Sequence, residues 1–154
     1  MAVDKFPVSG IVLTHSEDAI VTDSASSATA YSTGFKTING ALGLDKDLKY
    51  LENLTEKIHN YGYVSSLIST SEITHATPAA FAAHVDLRWK TDEISKQMIE
   101  SNVVTILGGG RHFFLPEEMG GKRDDGLNLY EQVESTQTLL THKDCLLYTS
   151  PSPR

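Results

Sequence analysis

VTDSASSATA, residues 21–30, sets a β-branched Val-Thr pair before an aspartate and a serine, and then only Ser, Ala and Thr. The residues leading in, 17–23 (EDAIVTD), read as a short strand with a polar end. The small residues from Ser24 to about Phe35 suit a helix that approaches a neighbour closely. Ser24 therefore stands where a strand ends and a helix begins, the place where open α/β sheets gather ligands. A helix N-terminus offers unpaired N–H groups and a positive dipole end to an anion. Two readings stay open on residue type alone. Asp23 or Ser24 caps the helix, or Ser24 is a nucleophile aimed at an anion bound there.

The rest of the chain repeats the strand-helix alternation. Gly34 and the Asn39-Gly40 pair mark a turn. Residues 49–61 (KYLENLTEKIHNY) place Leu51, Leu54 and Ile58 on one helical face, and Gly62 ends that helix. YVSSLIST (63–70) reads as the next strand and SEITHA as a loop. Pro78 opens a short Ala-rich helix that runs to Val85, and 92–101 (DEISKQMIES) forms another. VVTIL (103–107) is a buried strand ending at Gly108-Gly109-Gly110, and residues 116–128 are a polar excursion. Strand, helix and strand with short connections predict an α/β fold with a mainly parallel sheet and helices on both faces.

Composition narrows the partners. The 154 residues carry 20 acidic against 13 basic side chains, a net charge of −7. Such a surface disfavours nucleic acid and anionic membranes. No apolar run approaches a membrane span, and MAVDKFPVSG lacks a signal-peptide pattern. The single cysteine, Cys145, permits no internal disulfide.

VTDSASSATA followed by TGFKTINGALG closely resembles the nucleophile motif of the alkaline phosphatase family. The likeness continues in frame through THATPAAFAAHVDLR and the VVTILGGGR strand, over about residues 17–115. It implies a metal-dependent phosphomonoesterase in which Ser24 is transiently phosphorylated and water then hydrolyses the phosphoserine. It also implies two Zn²⁺ ions, one activating Ser24 and the other stabilising the leaving oxygen. Asp23 would hold the phosphate-binding arginine rather than a metal. Counting eleven residues on from Thr77 places that arginine at Arg88, whose parallel N–H donors match two phosphoryl oxygens. Thr77 would offer its hydroxyl to the third metal, Mg²⁺, unless it only caps the helix at Pro78. His75 stands where some members carry Asp, and would touch that metal through water. An imidazole there weakens Mg²⁺ preference and admits Zn²⁺.

The other histidines receive no role. His84 belongs to packing or surface, and His15, His59, His112 and His142 form no ligand spacing. Gly108-Gly109-Gly110-Arg111 lacks the Lys-Ser/Thr ending of a P-loop and reads as a strand-end turn. The family likeness further implies phosphate monoester substrates, a homodimeric parent and a periplasmic or extracellular location. Two readings from outside this function are a related esterase acting on phosphodiesters or sulfate esters, and a non-catalytic anion-binding domain. The first would place Thr or a modified Cys at position 24.

The departures concern missing parts. The family's upstream Gly-Asp-Gly motif and its later Asp, Glu and His ligands have no counterpart here. Residues 1–144 thus read as the interior of a larger enzyme, inert by itself. The tail CLLYTSPSPR (145–154) breaks with the preceding composition. It back-translates as TGT CTC TTA TAC ACA TCT CCG AGC CCA CGA, the adapter of transposase-based sequencing libraries, and reads as non-native.

Overall fold

The computed structural model describes residues 7–8 and 10–134; the 145–154 tail, Cys145 and His142 lie outside the described residues. Five helices and two strands follow in order: α1 (Ser24–Thr33), α2 (Leu54–His59), β1 (Ser65–Glu72), α3 (Ala76–Ala79), α4 (Thr91–Glu100), β2 (Val103–Gly109) and α5 (Leu129–Glu134). The strands pair in parallel, with Leu67 opposite Ile106 and Ile68 opposite Leu107. A parallel pair needs a crossover, and α3 and α4 provide it.

Residues 17–23 are not a strand, contrary to the sequence reading. Ile20 is 91% exposed and Val21 79%, and the described residues supply no neighbour to ladder with. Local bonds take over: the Ser16 hydroxyl donates to Asp18 at 2.8 Å and accepts from the Ala19 amide at 3.1 Å. Side-chain bonds of this kind compete with a ladder. The helix over 49–61 is shorter than its periodicity suggests and leaves Leu51 outside. The cause is a capping box, in which Asn53 accepts from the Glu56 amide while Glu56 accepts from the Asn53 amide. The Ala-rich helix likewise ends at Ala79, before Val85.

The small residues have a packing purpose. Ala25 and Ala28 of α1 are buried in one cluster with Ala76 and Ala79 of α3 and with Ala80 and Ala83. Alanine at these positions lets two backbones approach closely. The Thr29 hydroxyl donates to the Ala41 carbonyl at 3.2 Å and accepts from the Gly43 amide at 3.1 Å, which draws the 41–43 segment onto α1. Gly34, in the left-handed region at φ 83°, ends the helix.

Ile94 and Met98 of α4 bury their side chains in the same core as Val103, Phe114 and Leu129. Arg123 is buried at its edge, donating to the Asp92 and Phe113 carbonyls and to Ser95, and pairing with Asp125. Every one of those acceptors would lose a partner without the guanidinium.

Candidate active site

The turn that opens α1 is built around one carboxylate. Asp23 is the N-cap of α1, with extended backbone and an Oδ1 that accepts from the Ala25 amide at 3.0 Å and the Ser26 amide at 2.9 Å. Ser24 is consequently the first residue inside the helix and does not cap it. Of the two open readings, the cap belongs to Asp23, and the Ser24 hydroxyl is left available.

Asp23 Oδ2 accepts from Arg88 Nη1 at 3.3 Å, and the same Nη1 donates to Ser24 Oγ at 2.5 Å. Arg88 Nη2 lies 3.1 Å from His75 Nε2. A guanidinium only donates, so the His75 nitrogen is the acceptor in this contact. Four residues from three separate segments therefore meet at one point. Arg88 lies outside any helix. It sits in a turn just after a backbone bridge between Leu42 and Val85.

Thr77 shares an open pocket of about 310 Å³ with Asp23 and Ser24, walled further by Thr22, Ser27 and Tyr31. Thr77 lies within α3, whose cap position is His75, so it does not cap that helix. On the pocket wall Thr22 Oγ1 lies 3.2 Å from Ser27 Oγ, and it lies 2.6 Å from Ser26 Oγ behind the wall.

The other described histidines make no bond to Asp23, Ser24 or Arg88. His84 Nδ1 lies 2.8 Å from the Gly43 carbonyl and its Nε2 2.9 Å from Glu56 Oε1, so it braces α2 against the 43 segment. Tyr50 donates to the other Glu56 oxygen at 2.8 Å, and burial together with that carboxylate pushes its phenol up to about 12. The Gly110 turn, with φ 93°, is a strand-end turn. Among the described residues no group of three or more His, Cys, Asp or Glu could hold a metal ion.

Sequence reasoning missed Asn39 and Ser26. Asn39 Oδ1 accepts from the Asp23 amide and from Ser26 Oγ, both at 2.9 Å, and its Nδ2 donates to the Val21 carbonyl at 3.0 Å. Its signal was the Asn-Gly pair, which announces a turn and not its partners.

A serine at a helix N-terminus thus stands in contact with an arginine that the capping aspartate holds. Comparison with known proteins gives the family. The sequence model of the family described as Alkaline phosphatase matches residues 1–153. Alkaline phosphatase 4 of Bacillus subtilis is 34% identical over 145 residues, covering 89% of this chain and 32% of its own length. The repressible alkaline phosphatase of Saccharomyces cerevisiae is 38% identical over 134 residues, covering 79% and 24%. The alkaline phosphatase structure from the Antarctic bacterium TAB5 superposes with a TM-score of 0.76 at 35% identity, covering 86% of this chain and 39% of that one. A histidine-to-aspartate mutant of the TAB5 enzyme has Mg bound in its M3 site.

The chain belongs to the alkaline phosphatase family, and its fold is an incomplete α/β fold of that kind. It spans about a third or less of the length of these curated relatives.

Asp23 gives a pH test. Burial raises its pKa, but the Ser26 amide, Arg88 and the Gly40 amide outweigh burial and hold it below the usual carboxylate value. A depressed folded pKa stabilises above the unfolded value near ~4 and loses that stabilisation as pH falls through the folded one. Asp23→Asn should therefore lower the denaturant midpoint by a constant amount from neutral to alkaline pH. The gap to the unsubstituted protein should narrow below about pH 4.

Proposed function

We propose that the enzyme containing this segment hydrolyses phosphate monoesters through a phosphoserine on Ser24. The observation that carries the reading is the Asp23–Arg88–Ser24 contact at the α1 N-terminus. Arg88 approaches Ser24 Oγ from the side on which Asp23 holds it. A phosphoryl group docked on the guanidinium would replace Ser24 and His75 as acceptors, while Asp23 keeps its hold on Nη1. The ester phosphorus then lies next to Ser24 Oγ, a positioning effect of the kind that dominates phosphoryl transfer.

In the first step the Oγ–P bond forms, the ester P–O bond breaks and the alcohol leaves with a proton. Water then attacks phosphorus, the Oγ–P bond breaks, Ser24 regains its proton and inorganic phosphate departs. Donation from Arg88 favours negative charge on the phosphoryl oxygens throughout. The α1 N-terminus acts in the same direction.

The donor set fits the family's metals in part. Ser24 and Thr77 present hydroxyl oxygens to one pocket, and hydroxyl oxygen suits a hard cation. Ser24 would face a Zn²⁺, and Thr77, with His75 through water, a Mg²⁺. Asp23 has both oxygens engaged and is no ligand. When bound, two Zn²⁺ and one Mg²⁺ supply Lewis acidity that favours the serine alkoxide and the leaving oxygen.

Homodimerisation and a periplasmic or extracellular location belong to the same proposal and are supported by the family membership. No described helix is long and apolar enough to cross a membrane. We further propose that residues 1–144 are native enzyme and that 145–154 translate the sequencing adapter. The family match runs on to residue 153, so the coding sequence of the tail is the direct test.

Three outcomes are expected. In the longer enzyme, Ser24→Ala should abolish nearly all turnover while inorganic phosphate still inhibits; undiminished turnover excludes Ser24 as nucleophile. Arg88→Ala should weaken phosphate inhibition and lower kcat/KM by about 1.5–3 kcal/mol, since a charged donor pair is lost. The 154-residue chain alone should show no zinc-dependent phosphatase activity, because among the described residues no group of three or more His, Cys, Asp or Glu could hold a metal ion.

A further inference from the structure

The Asn39-Gly40 turn touches both halves of the site without lining it. On one side Asn39 Oδ1 accepts from the Asp23 amide and Ser26 Oγ at 2.9 Å, and Nδ2 donates to the Val21 carbonyl at 3.0 Å. On the other side the Gly40 carbonyl accepts from the Arg88 amide at 2.8 Å. Leu42 and Val85 then exchange backbone bonds of 2.8 and 3.0 Å, continuing the same antiparallel contact. The turn is itself fixed, since the Asn39 amide donates to Asp18 Oδ1 at 2.9 Å. Gly40 holds φ at +90°, a conformation that strains any residue with a Cβ.

We propose that the Asn39-Gly40 turn is the positioning element that sets Ser24 against Arg88, two residues 64 positions apart in the chain. The inference rests on the phosphoserine reading above. An amide side chain suits the task because it accepts and donates at once: it pins an N–H and a C=O on either side of Thr22, fixing the direction in which α1 starts. The adjacent glycine turns the backbone so that its carbonyl reaches Arg88. A displacement of about 1 Å between nucleophile and clamp is enough to cost a large factor in rate.

The test uses the longer enzyme, with rates normalised to active sites counted by burst amplitude. Asn39→Ala should lower kcat/KM about ten-fold or more and weaken inhibition by inorganic phosphate roughly three- to ten-fold. Gly40→Ala should act in the same direction. In an Arg88→Ala background, Asn39→Ala should change phosphate inhibition by less than about two-fold, because the group being positioned is already gone. A purely structural turn would reduce the count of active sites and leave phosphate inhibition per site unchanged; that result overturns the proposal. Equal effects of Asn39→Ala with and without Arg88 overturn it too. Retained turnover in Ser24→Ala would instead sink the phosphoserine reading, so the two failures are distinguishable.

Discussion

The two oxygens of the Asp23 carboxylate serve different parts of the chain, and the site depends on that division. Oδ1 satisfies the amides of Ala25 and Ser26 that a helix start leaves without partners. Oδ2 holds Arg88 from 65 residues away. An N-cap is worth about 1 kcal/mol, so the first contact alone would earn the residue its place. The second makes it part of the site. Because one rigid group does both, the direction of α1 and the position of the guanidinium cannot vary independently. Arg88 is only 11% exposed in its side chain, which strengthens its charged contacts relative to a surface pair.

The small residues behind Ser24 are what allow this convergence. A bulkier face on α1 would hold α3 off, and with it His75 and Thr77, which lie at and just inside the α3 start. Alanine burial contributes little per side chain, so the polar contacts of Thr29, Asn39 and His84 carry an unusual share of the local order. The sheet behind them is thin. Ile68 and Val104 stand exposed on the paired strands, where parallel sheets ordinarily bury both faces.

Much of the fold was legible in the sequence, and the failures share a cause. The strands read at 63–70 and 103–107 and the helix read at 92–101 follow from periodicity and connection length, and the structure places them at 65–72, 103–109 and 91–100 with the strands parallel. Residues 17–23 have strand composition, yet strand formation needs a neighbour that local sequence does not reveal. In the site, Ser24, Asp23, Arg88, Thr77 and His75 were read from motif order, and the structure gathers them around one pocket and one guanidinium. What each does in catalysis remains a proposal. Asn39 escaped because its partners lie at positions 21, 23 and 26, a distance no local pattern spans. His75 was read toward a metal, and its contact with Arg88 was not anticipated, since it depends on how the turn after Val85 directs the arginine.

The central claim is that Ser24 carries the phosphoryl group during turnover. Mixing the longer enzyme with an aryl phosphate, quenching in acid and mapping peptides by mass spectrometry tests it most directly, because a phosphoserine ester survives acid. The account predicts one added phosphoryl group on the peptide containing Ser24, located at that residue by fragmentation. An unmodified Ser24 under conditions of steady turnover, or the group on another side chain, would contradict it.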